Sequence, residues 1–213
     1  MGKSTIRALV LVLALAISAY AVIQYGLFDP RKAGLVSIKL RNPDFRLEPW
    51  VYVLYTHITT AVLALAIGPF QLFLKPRSTR RLRRHRLLGY IYVGSVTVSG
   101  LVNLYLSLYA TGGWVSGLGF LLLDVLWVGA TWIGVFKIAG DHAHAHKEWM
   151  LRSYALTFAA VTLRLWLPVL LVIYQGSFVQ AYQVVAWLSW IPNLLFIEAW
   201  IRLRRERSGR LSG

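Results

Sequence analysis

The chain has 213 residues, of which 57% are hydrophobic and 15% charged, and its formal net charge is +15. Soluble domains carry about 25% charged residues, so this composition, with a mean hydropathy of +0.58, excludes a disordered chain and an ordinary water-soluble globule. Cysteine is absent, which excludes disulfides, thiolate metal sites, cysteine-ligated iron–sulfur clusters and c-type haem.

A membrane-crossing helix needs about 20 mostly apolar residues. Six segments meet this requirement, at about 6–28, 50–74, 87–109, 114–136, 149–174 and 181–201. Short connections, apart from residues 29–49, predict an all-α transmembrane bundle forming a single integral membrane domain over 1–213. Pro69, Pro168 and Pro192 fall inside spans and predict kinks. Lys3, Arg7 and the Ala19-Tyr20-Ala21 triplet resemble a signal peptide with its cleavage site, yet the apolar run continues to Phe28, long enough to span. The expectation is an uncleaved first helix; cleavage would leave five spans.

Orientation follows from the basic residues. Seventeen Lys and Arg fall on the side of the termini, five on the other, and Arg164 inside a span. Both termini are therefore predicted to be cytoplasmic. Trp50, Trp114, Trp149, Tyr174 and Tyr182 mark span ends, as interfacial aromatics do. The basic run 75–86 (KPRSTRRLRRHR) reads as an orientation-setting loop facing anionic lipid head groups. No module capable of reading bases accompanies it, so a nucleic-acid partner is not expected.

Ionisable groups inside a bilayer are costly and are functional candidates by default. His57, Asp124, Arg164 and Glu198 are such groups, and Asn103 adds an amide. Helical spacing puts His85, Gly89, Tyr92, Ser99 and Asn103 on one face of the third span. The same spacing puts His146, Met150, Ser153, Thr157 and Arg164 on one face of the fifth. In each span a histidine near the inner end precedes a strong hydrogen-bonding residue by 18 positions, five whole turns. This predicts a degenerate repeat of spans two–three and four–five. His57, Asn103, Asp124 and Arg164 form an outer-half polar cluster, in which matched depth predicts an Asp124–Arg164 ion pair. Glu198 is expected to pair with Arg202, one turn on. Asp141, His142 and His144 offer metal-ligand chemistry, but alternate spacing splays such groups around a helix, and a solvated loop competes with that reading.

Four blocks carry a resemblance. They are His57 with Gly68-Pro69-Phe70-Gln71; His85-Arg86-Leu87-Leu88-Gly89-Tyr90; Gly140-Asp141 with His146, Trp149 and Met150; and Arg152-Ser153-Tyr154-Ala155-Leu156-Thr157 running to Thr162-Leu163-Arg164. Over about residues 50–170 the chain resembles the bacterial membrane family catalogued as domain of unknown function twenty-three-oh-six. That resemblance implies a multi-pass protein of the bacterial inner membrane and places His57, His85, His146, Arg152 and Arg164 in the family motif. Lys147-Glu148 depart from the two basic residues expected after His146.

The chain is also loosely similar to two-haem transmembrane cytochromes b. Equal depth of His85 and His146 suits one bis-histidine haem b, with Arg152 beside its propionates. His57 lacks a histidine partner on the fourth span, which argues against a second haem. Three functions therefore stand open: a haem-binding or redox protein through His85 and His146; a transporter or proton-coupled carrier through His57, Asp124 and Arg164; and a structural subunit for a membrane partner. A metal-dependent hydrolase through Asp141 and the histidines lacks a helical His-Glu-x-x-His pattern.

Overall fold

The computed structural model describes residues 2–29, 31, 34–43, 45–74 and 78–210. Lys32, Lys75 and Arg77, counted above among the basic residues, lie outside them. Helix α1 is Lys3–Val22, prolonged by a π-helical turn over Ile23–Leu27, and α2 is the short Gly34–Lys39. Then come α3 Trp50–Phe73, α4 Thr79–Leu108, α5 Trp114–Ala139, α6 Ala143–Thr157, α7 Ala159–Ile173, α8 Phe178–Leu188 and α9 Ile191–Arg210. Among the described residues there is no strand.

Six helical stretches are long and apolar enough to cross a membrane, with α6–α7 forming the fifth and α8–α9 the sixth. Their surface is inverted relative to that of a soluble protein. Trp114, Phe196 and Val172 are 79%, 70% and 81% exposed, whereas Ser99, Ser116, Thr131, Ser153 and Ser189 are fully buried. Apolar side chains outside and hydroxyls inside suit hydrocarbon surroundings, where polar groups must find partners within the bundle.

Helices α3, α4, α5 and α6 close into a four-helix ring, with α1 against α3 and α7. Helix α8 packs on α7 and α5, and α9 packs on α6. Arg7, at the start of α1, lies over the Phe73 ring at the end of α3 (5.8 Å), so α1 and α3 run antiparallel. The start of α1, the end of α3, the start of α4, the α5–α6 connection and the end of α9 share one end, rich in arginine and called here the basic end. The opposite, far end carries α2, which folds Val36 against Trp50, Leu54 and Leu106.

Several boundaries depart from the sequence reading. The basic run 75–86 is not all loop: α4 starts at Thr79, with the Ser78 hydroxyl accepting the Arg81 N–H at 3.4 Å. His144 and His146 are helical too, because α6 begins at Ala143. Pro168 lies inside α7 without ending it, and the fifth span breaks instead at Phe158. This break interrupts the single helical face expected to carry both His146 and Arg164. Pro192 acts as expected but by another route: it is the second residue of α9, where a missing N–H costs little, and the sixth span breaks just before it.

Asn193 holds both breaks. Its amide lies 3.3 Å from the Ala155 carbonyl, 2.9 Å from the Ser189 carbonyl and 3.1 Å from Thr162 Oγ1. The Thr162 hydroxyl in turn donates to Ser189 O. Carbonyls released by the broken helices are thereby satisfied inside the bundle.

Gly68 permits the contact between α3 and α6. A Cβ there would run into the Tyr154 ring, whereas one on Gly129 meets nothing within 4 Å. Gly68→Ala is expected to destabilise the detergent-solubilised protein by about 1–3 kcal/mol. Gly129→Ala should be neutral or stabilising by up to about 1 kcal/mol. Thermal unfolding of the two variants side by side checks this.

Candidate functional site

The far half of the bundle holds a cavity of about 390 Å³, lined by residues of α1 to α8. Its wall is mostly apolar, from Leu54, Ile58, Ala61, Leu65, Leu123 and Leu167. His57, Asn103, Asp124 and Arg164, singled out by the sequence as an outer-half cluster, all line it. Lys39, Trp50, Thr111 and Tyr182 line it as well.

The expected Asp124–Arg164 ion pair is not formed: no such pair exists among the described residues. Asp124, 3% exposed, accepts instead from the Asn103 amide across the α4–α5 contact at 2.5 Å. The Arg164 guanidinium donates from Nη1 to the carbonyl of Ala160, one turn back on its own helix, at 2.8 Å. Matched depth along two helices fixed the height of the two side chains but not their azimuth.

His57 bridges α3 to α4. Its Nδ1 lies 3.0 Å from Ser99 Oγ and 3.3 Å from the Ser99 carbonyl. A carbonyl only accepts, so Nδ1 carries the proton and Nε2 keeps its lone pair. At the cavity mouth, Lys39 Nζ donates to the Tyr109 carbonyl and stands over the rings of Phe45 (5.3 Å) and Trp50 (5.5 Å). Partial burial holds the Lys39 ammonium below its usual pKa.

Beneath the cavity the polar faces of the third and fifth spans meet. Tyr92 Oη lies 2.7 Å from Ser153 Oγ and 2.9 Å from Thr157 Oγ1. The Trp127 indole donates to Thr157 Oγ1 at 2.8 Å, and Thr131 Oγ1 lies 2.7 Å from Ser153 Oγ. Thr131 and Thr157 also donate to the carbonyls of Trp127 (2.8 Å) and Ser153 (2.9 Å). Spacing identified Tyr92, Ser153 and Thr157. It missed Trp127 and Thr131, whose i,i+4 spacing on the fourth span was the available signal, and it missed Asn193.

At the basic end, Arg152 grips Glu198 through both Nε and Nη2, and its guanidinium stacks 4.6 Å from Trp149. Glu198 therefore bonds across helices rather than to Arg202, one turn on. Arg205 likewise takes both oxygens of Glu148, which is 6% exposed. Two bidentate pairs thus tie α6 to α9.

His146 Nδ1 lies 2.8 Å from the Gly134 carbonyl, to which it donates. Gln71 donates to the His85 carbonyl at 3.0 Å and so joins two of the sequence blocks. Asp141 has a positive φ of 62°, His142 caps α6 without a side-chain bond, and His144 Nδ1 lies 3.6 Å from Glu148 Oε1. Among the described residues, no three His, Cys, Asp or Glu side chains are grouped to hold a metal ion.

A family model described as predicted membrane protein (DUF2306) matches residues 54–201. No curated protein and no solved structure matches the chain. The match takes in His57, Asn103, Asp124, Arg164, Asn193 and Glu198, and leaves the α1 and α2 walls of the cavity outside.

The ion-pair assignment at the basic end has a direct check. Arg152→Gln strands the Glu198 carboxylate and is expected to cost about 1–3 kcal/mol. Arg202→Gln should stay within about 0.5 kcal/mol. Denaturant or thermal melts of the two variants separate these outcomes.

Proposed function

The chain belongs to the DUF2306 family of predicted membrane proteins, and from that premise we propose that it is a carrier-type protein of the bacterial inner membrane. On this reading it binds a small molecule in the far-half cavity. The basic end, with both termini, lies on the cytoplasmic side, in keeping with the positive-inside distribution of Lys and Arg. The cavity then opens toward the outer leaflet, and the exposed Arg80, Arg81, Arg83 and Arg84 meet anionic head groups of the inner leaflet.

One observation carries the reading. A cavity of about 390 Å³ gathers His57, Asp124 and Arg164 without pairing any of them to another. That volume falls in the roughly 300–1,000 Å³ range of small-molecule sites. Charged groups kept apart at membrane depth lose solvation without recovering it from each other, which favours a ligand that supplies the missing partner. The site is one-sided: below it stand the Tyr92 hydroxyl network and then the Arg152–Glu198 and Arg205–Glu148 pairs. In a carrier these pairs are the inner closure, and separating α9 from α6 is the step that opens the other side.

A second reading keeps the haem proposal for His85 and His146. Its supporting observation is the His146 Nδ1–Gly134 bond, since ligating histidines usually donate their other ring nitrogen to a carbonyl. The absorption spectrum of protein produced with ample haem decides it, and a missing Soret band removes it.

The cysteine-free sequence makes the carrier test direct. Ala61→Cys on the cavity wall should react with a membrane-impermeant maleimide added from outside the cell. Adding Arg152→Gln and Arg205→Gln should slow that outside labelling and allow labelling from the cytoplasmic side. Labelling unchanged on both sides by the two substitutions would mean a static pocket and would end the carrier reading.

A further inference from the structure

Several donors on the cavity wall lack acceptors among the described residues. Of the Arg164 guanidinium, only Nη1 has an acceptor, the Ala160 carbonyl. Trp50 is 2% exposed and lines the cavity, yet its indole N–H has no partner among the described residues. Thr111, also on the wall, buries a hydroxyl that has none either. Lys39 brings an ammonium with a single acceptor at Tyr109. Among the described residues lining the cavity Asp124 has the single carboxylate, and its Oδ2 accepts from Asn103.

A buried indole N–H without an acceptor costs about 1–3 kcal/mol, and no described residue offers it one. The adjacent Val36, Leu54 and Leu106 are apolar and offer it no acceptor. Two cations, an orphan N–H and an orphan hydroxyl facing one mostly apolar space demand an occupant that brings acceptor oxygens on an apolar body.

We propose that the cavity binds an amphipathic organic anion of the carboxylate class, its acidic oxygens received by donors of the Arg164, Lys39 and Trp50 set and its hydrocarbon part lying along Leu54, Ala61, Leu65 and Leu167. This deepens the small-molecule reading above and rests on it. Charge decides the class. An ammonium would face Arg164 and Lys39 in a low-dielectric space, where like charges repel strongly. A neutral alcohol accepts one or two hydrogen bonds but leaves both cations uncompensated. A carboxylate neutralises a guanidinium through paired N–H···O bonds, which are roughly twice as strong as neutral ones.

The test uses three probes of equal chain length, octanoate, octanol and octylammonium, with the full-length protein in zwitterionic phosphatidylcholine nanodiscs. Equilibrium binding of each is measured on wild type, Arg164→Gln and Lys39→Gln. Ala61→Trp, which fills the cavity, corrects for partition into lipid. Wild type is expected to prefer octanoate to the other two by about tenfold to a hundredfold, the span of one charge-assisted bond. Arg164→Gln should erase that preference, and Lys39→Gln, at the exposed mouth, should reduce it while leaving the thermal melt unchanged. The second variant keeps the test alive should Arg164→Gln fail to fold.

Octylammonium or octanol binding as tightly as octanoate, with Ala61→Trp abolishing it, would overturn the anion assignment and leave the cavity standing as a small-molecule site. No binding of any probe above the Ala61→Trp baseline would overturn both.

Discussion

Hydrocarbon around a helix offers no hydrogen bonds, and every feature of this bundle answers to that constraint. A soluble helix can break and let water take the freed carbonyls; here the two broken spans cannot. Asn193 supplies what water would have supplied. Its one amide reaches the Ala155 and Ser189 carbonyls, and Thr162 closes the circuit by donating to Ser189. The breaks are thereby made compatible with membrane depth. Arg164, on α7 beyond the first break, lines the cavity.

The same constraint sorts the polar residues by position. In the middle of the bundle, hydroxyls satisfy one another: Tyr92, Ser153, Thr131 and Thr157 form a group whose protons all have acceptors within it or on neighbouring backbone. Such groups fix helix register at modest cost, because none carries a charge. At the basic end, full charges occur in bidentate pairs, Arg152 with Glu198 and Arg205 with Glu148. Only the far half departs from this economy. There Asp124 and Arg164 line one space and do not meet.

The sequence made the architecture legible because hydropathy is local. Six spans, their approximate ends and the depth of each polar residue follow from counting apolar positions, and the third and fifth spans indeed meet along the faces that spacing marked, Tyr92 against Ser153 and Thr157. What the sequence concealed is relative rotation. The break at Phe158 has no proline beside it, and the amide that bonds the Ala155 carbonyl there belongs to Asn193, on another helix. Matched depth paired Arg164 with Asp124 but carried no information on rotation, and each side chain bonds elsewhere. Likewise Glu198 had a plausible partner four positions on, at Arg202, and only tertiary packing shows that Arg152, on another helix, is the one it holds. Local rules see i,i+4 neighbours; they do not see which helix lies alongside.

The separation of Asp124 from Arg164 is informative for an energetic reason. Opposite charges at similar depth in a low-dielectric interior attract across many ångströms, and a side chain as long as arginine has the reach to respond. That the guanidinium turns instead to the Ala160 carbonyl of its own helix, and the carboxylate to Asn103, means each is held by a local bond that competes with that attraction. A purely structural pair would gain by closing. Two groups fastened apart, with an empty donor at Trp50 near the mouth, leave the space between them with a field gradient and an unmet hydrogen-bonding demand. A ligand that is charged at one end and apolar along the rest answers both at once, and so converts the cost of keeping the site open into binding free energy and selectivity.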